Sequence, residues 1–164
     1  MCGFSGFLNF NPNWGDPLTL LQQMGDQLTH RGPDDSGVWF DNNCGVGLSH
    51  RRLSIIDLSA QGHQPMSSTS GRFVIAYNGE IYNHQELKKE LLQAGVVFRG
   101  SSDTEVLLAA IESWGIKQTL QRCIGMFAFS LWDKKEQTLS LVRDRIGEKP
   151  LYYGWQGKGD KRTF

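Results

Sequence analysis

Polar and apolar positions change their spacing along this chain, and the changes mark out its elements. Residues 3–10 are rich in glycine and phenylalanine and read as a buried opening strand. Asp16 followed by Pro17 predicts a helix start, a capping carboxylate ahead of a proline at the first helical position. Leu18, Leu21, Met24 and Leu28 then recur at helical spacing. From His30 to Gly37 no side chain suits a core. Short apolar runs at 38–40, 46–48, 53–56 and 73–77 are bounded by Gly, Asn, Asp or Ser, as strands are. Asn83 with Glu86 predicts a second helix that carries Leu87 and Leu91 and ends at Gly95. Ser102 with Glu105 forms a capping box for a third, with Val106, Leu107, Ala110, Ile111 and Trp114 on its inner face. Residues 126–132, 138–142 and 151–155 read as further strands, with 133–137 as a hairpin connection. Strands outnumber helices, and several are joined too tightly for crossover helices. The expectation is an α+β fold with largely antiparallel sheets. Residues 157–164 are polar and read as a frayed end.

Composition narrows the class. A chain of 164 residues is by default one domain, able to bury about 70% of its unfolded surface. Its 17 basic and 17 acidic side chains cancel and form no basic stripe, so neither nucleic acid nor a membrane is expected as partner. Without a long apolar run or a basic-then-apolar opening, a cytoplasmic setting is predicted. Cys2, Cys44 and Cys123 are odd in number and widely spaced, which argues against a disulfide framework or a C-x-x-C site. His30, His50, His63 and His84 show no paired spacing, so no metal and no cofactor are expected in this chain.

Candidate chemistry begins at Cys2, directly behind Met1. A small second side chain lets the initiator be removed, leaving a thiol and a free α-amine on one residue. Their ordinary pKa values, roughly 8.5 and 7.7–8.0, make proton exchange near neutral pH inexpensive. A thiolate attacking a carbonyl needs donors for the developing oxyanion, and Asn78-Gly79 offers an amide and an unobstructed N–H. The same dipeptide is also the commonest two-residue hairpin turn. Arg52, at the mouth of an apolar run, suits a substrate carboxylate but equally a solvated strand end. Asp103 suits an ammonium, yet acids are favoured in a helix's first turn for dipole reasons alone. None of these signals is decisive singly.

Jointly they are. Met-Cys-Gly-Phe-Ser-Gly, His-Arg-Gly-Pro-Asp, Arg-Leu-Ser-Ile-Ile-Asp, Tyr-Asn-Gly-Glu-Ile-Tyr-Asn-His and Ser-Ser-Asp-Thr-Glu occur in that order. Gly-Met-Phe-Ala-Phe and Arg-Asp-Arg-Ile-Gly-Glu-Lys-Pro-Leu-Tyr-Tyr follow. The series resembles the class II glutamine amidotransferases, and more narrowly the glutaminase domain of glutamine-hydrolysing asparagine synthetases. The resemblance spans residues 2–155 and implies a four-layer αββα sandwich, the N-terminal nucleophile hydrolase fold. It implies L-glutamine as substrate, Cys2 as nucleophile with its α-amine as proton carrier, and Asn78 and Gly79 as the oxyanion pair. It further implies that Arg52 holds the glutamine carboxylate, that Leu53, Ile55 and Ile56 line the pocket, and that Glu80 and Asp103 receive the ammonium. The His30–Asp35 motif matches without an assigned step, and His30 is expected to pack or hydrogen-bond. Residues 156–164 read as the frayed start of a connection to an ATP-dependent synthetase domain, which this sequence lacks. ATP and Mg are expected there alone, in cis or in trans, and a homodimer is possible. A different ammonia acceptor (a sugar or antibiotic precursor), a catalytically silent regulatory module and another hydrolase such as an acylase remain alternatives.

Overall fold

Two antiparallel sheets lie face to face with helices on their outer sides, in a computed structural model that describes residues 2–54, 60–157 and 162–164. The elements are β1 (Gly3–Phe7), α1 (Pro17–Asp26), β2 (Asp35–Asp41), β3 (Val46–Arg52), β4 (Met66–Ser67), β5 (Phe73–Ile81), α2 (His84–Gln93), α3 (Asp103–Arg122), β6 (Gly125–Asp133) and β7 (Thr138–Arg143). One sheet has the order β1-β3-β2 and the other β4-β5-β6-β7, with every strand pair antiparallel. Helix α1 packs on the first sheet and α3, with α2 beside it, on the second, while β1 and β3 face β5. This is the αββα layering that the resemblance implied.

Side-chain alternation divides the core in two. Val46, Leu48, Val74, Ala76 and Trp132 meet between the sheets. The opposite faces of β5 and β6 send Phe73, Ile75, Tyr77, Phe127 and Phe129 toward Leu91, Leu107 and Ile111 of the helices. Buried on both faces, β5 has an apolar start without alternation.

Several expectations require correction. The opening strand stops at Phe7, because Asn9 turns to φ 61 and Pro12–Trp14 forms a 3-10 turn. Helix α1 ends at Asp26, after which Leu28 and Thr29 bond three residues back and tighten the chain into turns. Leu53 and Ser54 lie outside any strand, and Ile55 and Ile56 fall outside the described residues. Residues 151–155 form no strand: Tyr152 and Tyr153 are 92% and 73% exposed. Apolar content there does not reflect burial. The end at 162–164 is docked rather than frayed. Leu8 and Phe164 exchange backbone hydrogen bonds of 2.7 and 2.9 Å, and buried Thr163 donates its hydroxyl to Asn9 O at 2.7 Å.

Asn83 precedes α2 without capping it. Its amide instead donates to Arg122 O and accepts from Ile124 N, both at 2.9 Å, tying α2 to the end of α3. Ser102 does cap α3, accepting from Glu105 N at 3.2 Å. The Glu105 carboxylate reaches past it to Arg99 N and Gly100 N, each at 2.8 Å.

Candidate active site

Antiparallel register places the N-terminal residues of the chain. Gly3 pairs with Arg51, so Cys2 sits at the mouth of β1 beside Arg52 and Leu53. The Leu53 N–H lies 3.4 Å from Cys2 Sγ, which is 3.7 Å from Leu53 O. Arg31 Nε donates to Cys2 O at 3.2 Å. Any side chain at Gly32 would collide with the backbone of Arg51 and Arg52, so the glycine lets this turn lie flat on β3. Asp34 N then donates to Arg52 O at 3.0 Å, and Asp34 Oδ2 accepts from Ser54 N at 2.8 Å. The His-Arg-Gly-Pro-Asp motif therefore holds Cys2 and residues 52–54 in place. Its histidine does not join in: His30 is exposed and makes no hydrogen bond to the described residues.

The second sheet brings Asn78 and Gly79 to the same spot. They lie inside β5, not at a hairpin turn. Phe127, opposite Gly79, gives its N–H to Asp144 Oδ2 (3.2 Å) and accepts Asp144 N at its carbonyl (2.8 Å). The Gly79–Phe127 pair is thus non-hydrogen-bonded and closely spaced. A Cβ on Gly79 would stand 2.6 Å from Phe127 Cβ, which is why glycine belongs here. Tyr77 N donates to Gln64 Oε1 (2.7 Å) and Ile81 N to Asp103 Oδ2 (3.0 Å), both away from β6. By the two-residue period, the Gly79 N–H points the same way, toward the cavity. Buried Asn78 leaves its amide without a hydrogen-bond partner among the described residues.

Asp103 is buried at the start of α3 and accepts the Tyr77 hydroxyl at 2.7 Å through the same oxygen that takes Ile81 N. Burial, then the Asp103 charge, pushes the Tyr77 phenol well above its ordinary range, so it stays protonated and donates. Arg52 is buried, and its guanidinium lies against Gly62, where any side chain would strike it. Cys2, Arg52, Leu53, Asn78, Gly79, Glu80 and Asp103 all line one cavity of about 90 Å³. Ile55 and Ile56 lie outside the described residues.

Gln64 and Lys149 line this cavity too, and the sequence reading assigned them no place in it. Lys149 is buried at the end of a turn built on Asp144, which accepts from Lys149 N (3.0 Å) and Glu148 N (2.9 Å). Burial opposes ionisation of Asp144, but its backbone N–H donors outweigh it and hold the carboxyl below the usual range. The Arg-Asp-Arg motif gave a signal for Lys149; nothing flagged Gln64.

A larger cavity of about 790 Å³ runs along β1, α1 and residues 150–154. Its walls include Phe4, Leu28, Leu48, Leu139 and Leu141, and it meets the small cavity at Asn78 without Cys2, Arg52, Glu80 or Asp103. Volume and chemistry point to different places, and chemistry decides. Among the described residues, no three His, Cys, Asp or Glu side chains converge as a metal cage. The small cavity instead unites the Cys2 thiol, the Asn78 amide and Gly79 backbone, two cationic side chains, Arg52 and Lys149, and two carboxylates, Glu80 and Asp103.

Residues 1–162 match the glutamine amidotransferase domain. The chain is 44% identical over 155 residues to asparagine synthetase [glutamine-hydrolyzing] 1 of Bacillus subtilis, covering 93% of this chain and 24% of the relative. Asparagine synthetase [glutamine-hydrolyzing] 3 of the same organism is 40% identical over 159 residues, covering 96% of this chain and 25% of the relative. The chain thus spans about a quarter of the length of these relatives. Among solved structures, glutamine phosphoribosylpyrophosphate amidotransferase from B. subtilis superimposes with a TM-score of 0.74 at 22% identity, over 99% of this chain and 41% of that one. The shared feature there is the fold.

Proposed function

The chain belongs to the glutamine amidotransferase domain family, and we propose that its small cavity hydrolyses L-glutamine to glutamate and ammonia through a thioester on Cys2. The observation that carries this reading is the meeting of Cys2, from one sheet, with Asn78 and Gly79, from the other, in one cavity. Removal of Met1 frees the α-amine. That amine takes the thiol proton as Sγ attacks the side-chain carbonyl carbon of glutamine, while the Leu53 N–H steadies the sulfur. The oxyanion forms where the Gly79 N–H and Asn78 amide converge, and such a donor lowers the barrier by about 3–4 kcal/mol. The C–N bond breaks as the ammonium form of the amine protonates departing ammonia. A water, deprotonated by the same amine, then attacks the thioester and releases glutamate and the thiol.

Arg52 holds the substrate carboxylate in this reading, and Glu80 and Asp103 take the ammonium. Asp103 suits this role because Tyr77 and Ile81 fix its carboxylate through one oxygen. Similarity to glutamine-hydrolyzing asparagine synthetases supports asparagine synthesis as the use of this ammonia; in this reading a synthetase partner, using ATP and Mg, amidates aspartate. The free state of all three cysteines fits a reducing cytoplasm.

Intact mass tests the first step, with Cys2 expected at the N-terminus; a retained Met1 overturns the amine's role. Ammonia release and covalent capture of diazo-oxo-norleucine test the second. Cys2→Ala abolishes both with the fold intact, and turnover persisting in that variant would show the nucleophile to be misassigned. Arg52→Lys raises KM at least about tenfold, because a point charge cannot replace a bidentate fork.

A further inference from the structure

One buried polar side chain has no part in the steps above. His50 is 1% exposed and sits on the face of β3 that also carries Val46 and Leu48, in the apolar layer between the sheets. Its Nε2 lies 2.9 Å from Tyr77 O, and its Nδ1 has no hydrogen-bond partner among the described residues. A carbonyl only accepts, so Nε2 carries the proton and Nδ1 is a bare, buried lone pair. That unmade hydrogen bond is a cost which an apolar side chain would not incur here. What His50 gains for it is a single directed bond from the first sheet to the second.

The endpoints of that bond matter. His50 pairs with Phe4, two residues along β1 from Cys2, and lies two residues before Arg52 on β3. The carbonyl it holds belongs to the peptide that links Tyr77 to Asn78. The other polar groups of Tyr77 are also occupied: its N–H by Gln64, whose amide donates to Thr104 at 3.4 Å, and its hydroxyl by Asp103. The layer between the sheets is mostly apolar and weakly directional, and another directed bond within it, from the Trp132 indole to Asp41, lies on β2, away from Cys2 and Arg52. The spacing between Cys2 Sγ and the Asn78 and Gly79 donors must nonetheless hold to well under about 1 Å for one substrate carbonyl to engage both.

We propose that His50 is a positioning residue: its Nε2–H clamps the Tyr77–Asn78 peptide and so sets the oxyanion donors of β5 against the nucleophile and carboxylate clamp carried by β1 and β3. The inference rests on the glutamine amidotransferase reading and adds a residue to it. The clamp acts on the transition state, not on glutamine binding, so its loss appears in kcat rather than KM.

Glutaminase kinetics of the full chain, with thermal unfolding alongside, test this on three variants. His50→Gln carries its amide nitrogen the same number of bonds from Cα as Nε2 and can restore the donor. His50→Met has that length without a donor, and His50→Asn has a donor that stops short. The expected result is His50→Gln within about threefold of wild type. His50→Met and His50→Asn lose about 10–100-fold in kcat with KM within about threefold, as for a misplacement of roughly 1 Å. Should His50→Met fail to fold, the Gln and Asn pair decides alone. Three outcomes overturn the proposal: donorless variants as active as wild type, losses that merely track the folded fraction, or a folded but inactive His50→Gln. A wild-type chain that never turns over glutamine overturns the underlying reading as well, which separates the two failures.

Discussion

His50 shows how one side chain can carry both stability and geometry. Burial drives its pKa down to about 4, against the smaller opposing pull of the Tyr77 hydrogen bond. Among its charged neighbours, Asp35 raises the value, while His63 and Arg52 lower it. The folded pKa lies below the unfolded value of about 6.5, so on acidification the unfolded chain binds a proton that the folded chain refuses. Stability therefore falls as pH drops from about 6.5 to about 4 and levels off below, by about 3 kcal/mol in total. Urea unfolding of wild type and His50→Gln at pH 7 and pH 4.5 checks this. The wild type loses about 2 kcal/mol more than the variant over that interval, and parallel losses would show that another group drives it. At this scale the motifs shared with the family singled out Cys2, Arg52, Asn78, Gly79, Glu80 and Asp103, and the fold brings these residues to one cavity. The sequence was silent on His50 and Gln64, whose significance lies in what surrounds them. A histidine in a stretch of Gly, Leu and Ser looks the same whether it faces water or the opposite sheet.

Helices and strands were legible where their ends are chemically marked. Asp16 caps α1 by accepting from Thr19 N at 2.8 Å, and Ser102 caps α3, both as the local pattern predicts. The pattern failed at Asn83, whose amide is drawn to the end of α3 across 39 and 41 residues of chain. The expected face of α3 ended at Trp114, where the structure breaks: Gly115 adopts φ 78 and ψ 162, and the helix that resumes at Ile116 was not anticipated. That conformation is open to glycine almost alone, and no atom lies within 4 Å of where a Cβ would stand. Gly115→Ala consequently costs about 1–3 kcal/mol through backbone strain without any steric clash. Thermal unfolding checks the figure, and a variant as stable as wild type would show that the break straightens freely. The run 151–155 misled for the opposite reason: aromatic and aliphatic side chains suit a strand, but no neighbouring strand among the described residues offers them a ladder.

The whole molecule depends on how its two sheets meet. Trp132 is 1% exposed on β6, fills the layer between the sheets, and donates its indole N–H to Asp41 of β2 at 3.3 Å. Trp132→Ala removes that filling and costs about 3–5 kcal/mol, a large share of the roughly 5–15 kcal/mol typical of a domain. Urea unfolding measures the loss; a cost below about 1 kcal/mol would mean that the sheets collapse onto each other without it. The linear pattern was enough to establish an antiparallel α+β chain, a thiol at position 2, and the motif order that marks its family, because these depend on residue types at short separations. It left open which strands pair, which faces oppose, and that Asn78-Gly79 is mid-strand rather than a turn. Cys2 and Leu53 are 51 residues apart, and Phe127 shapes the backbone of Gly79 from another strand. Such contacts form only when distant segments pack, since alternation specifies a buried face but not its neighbour.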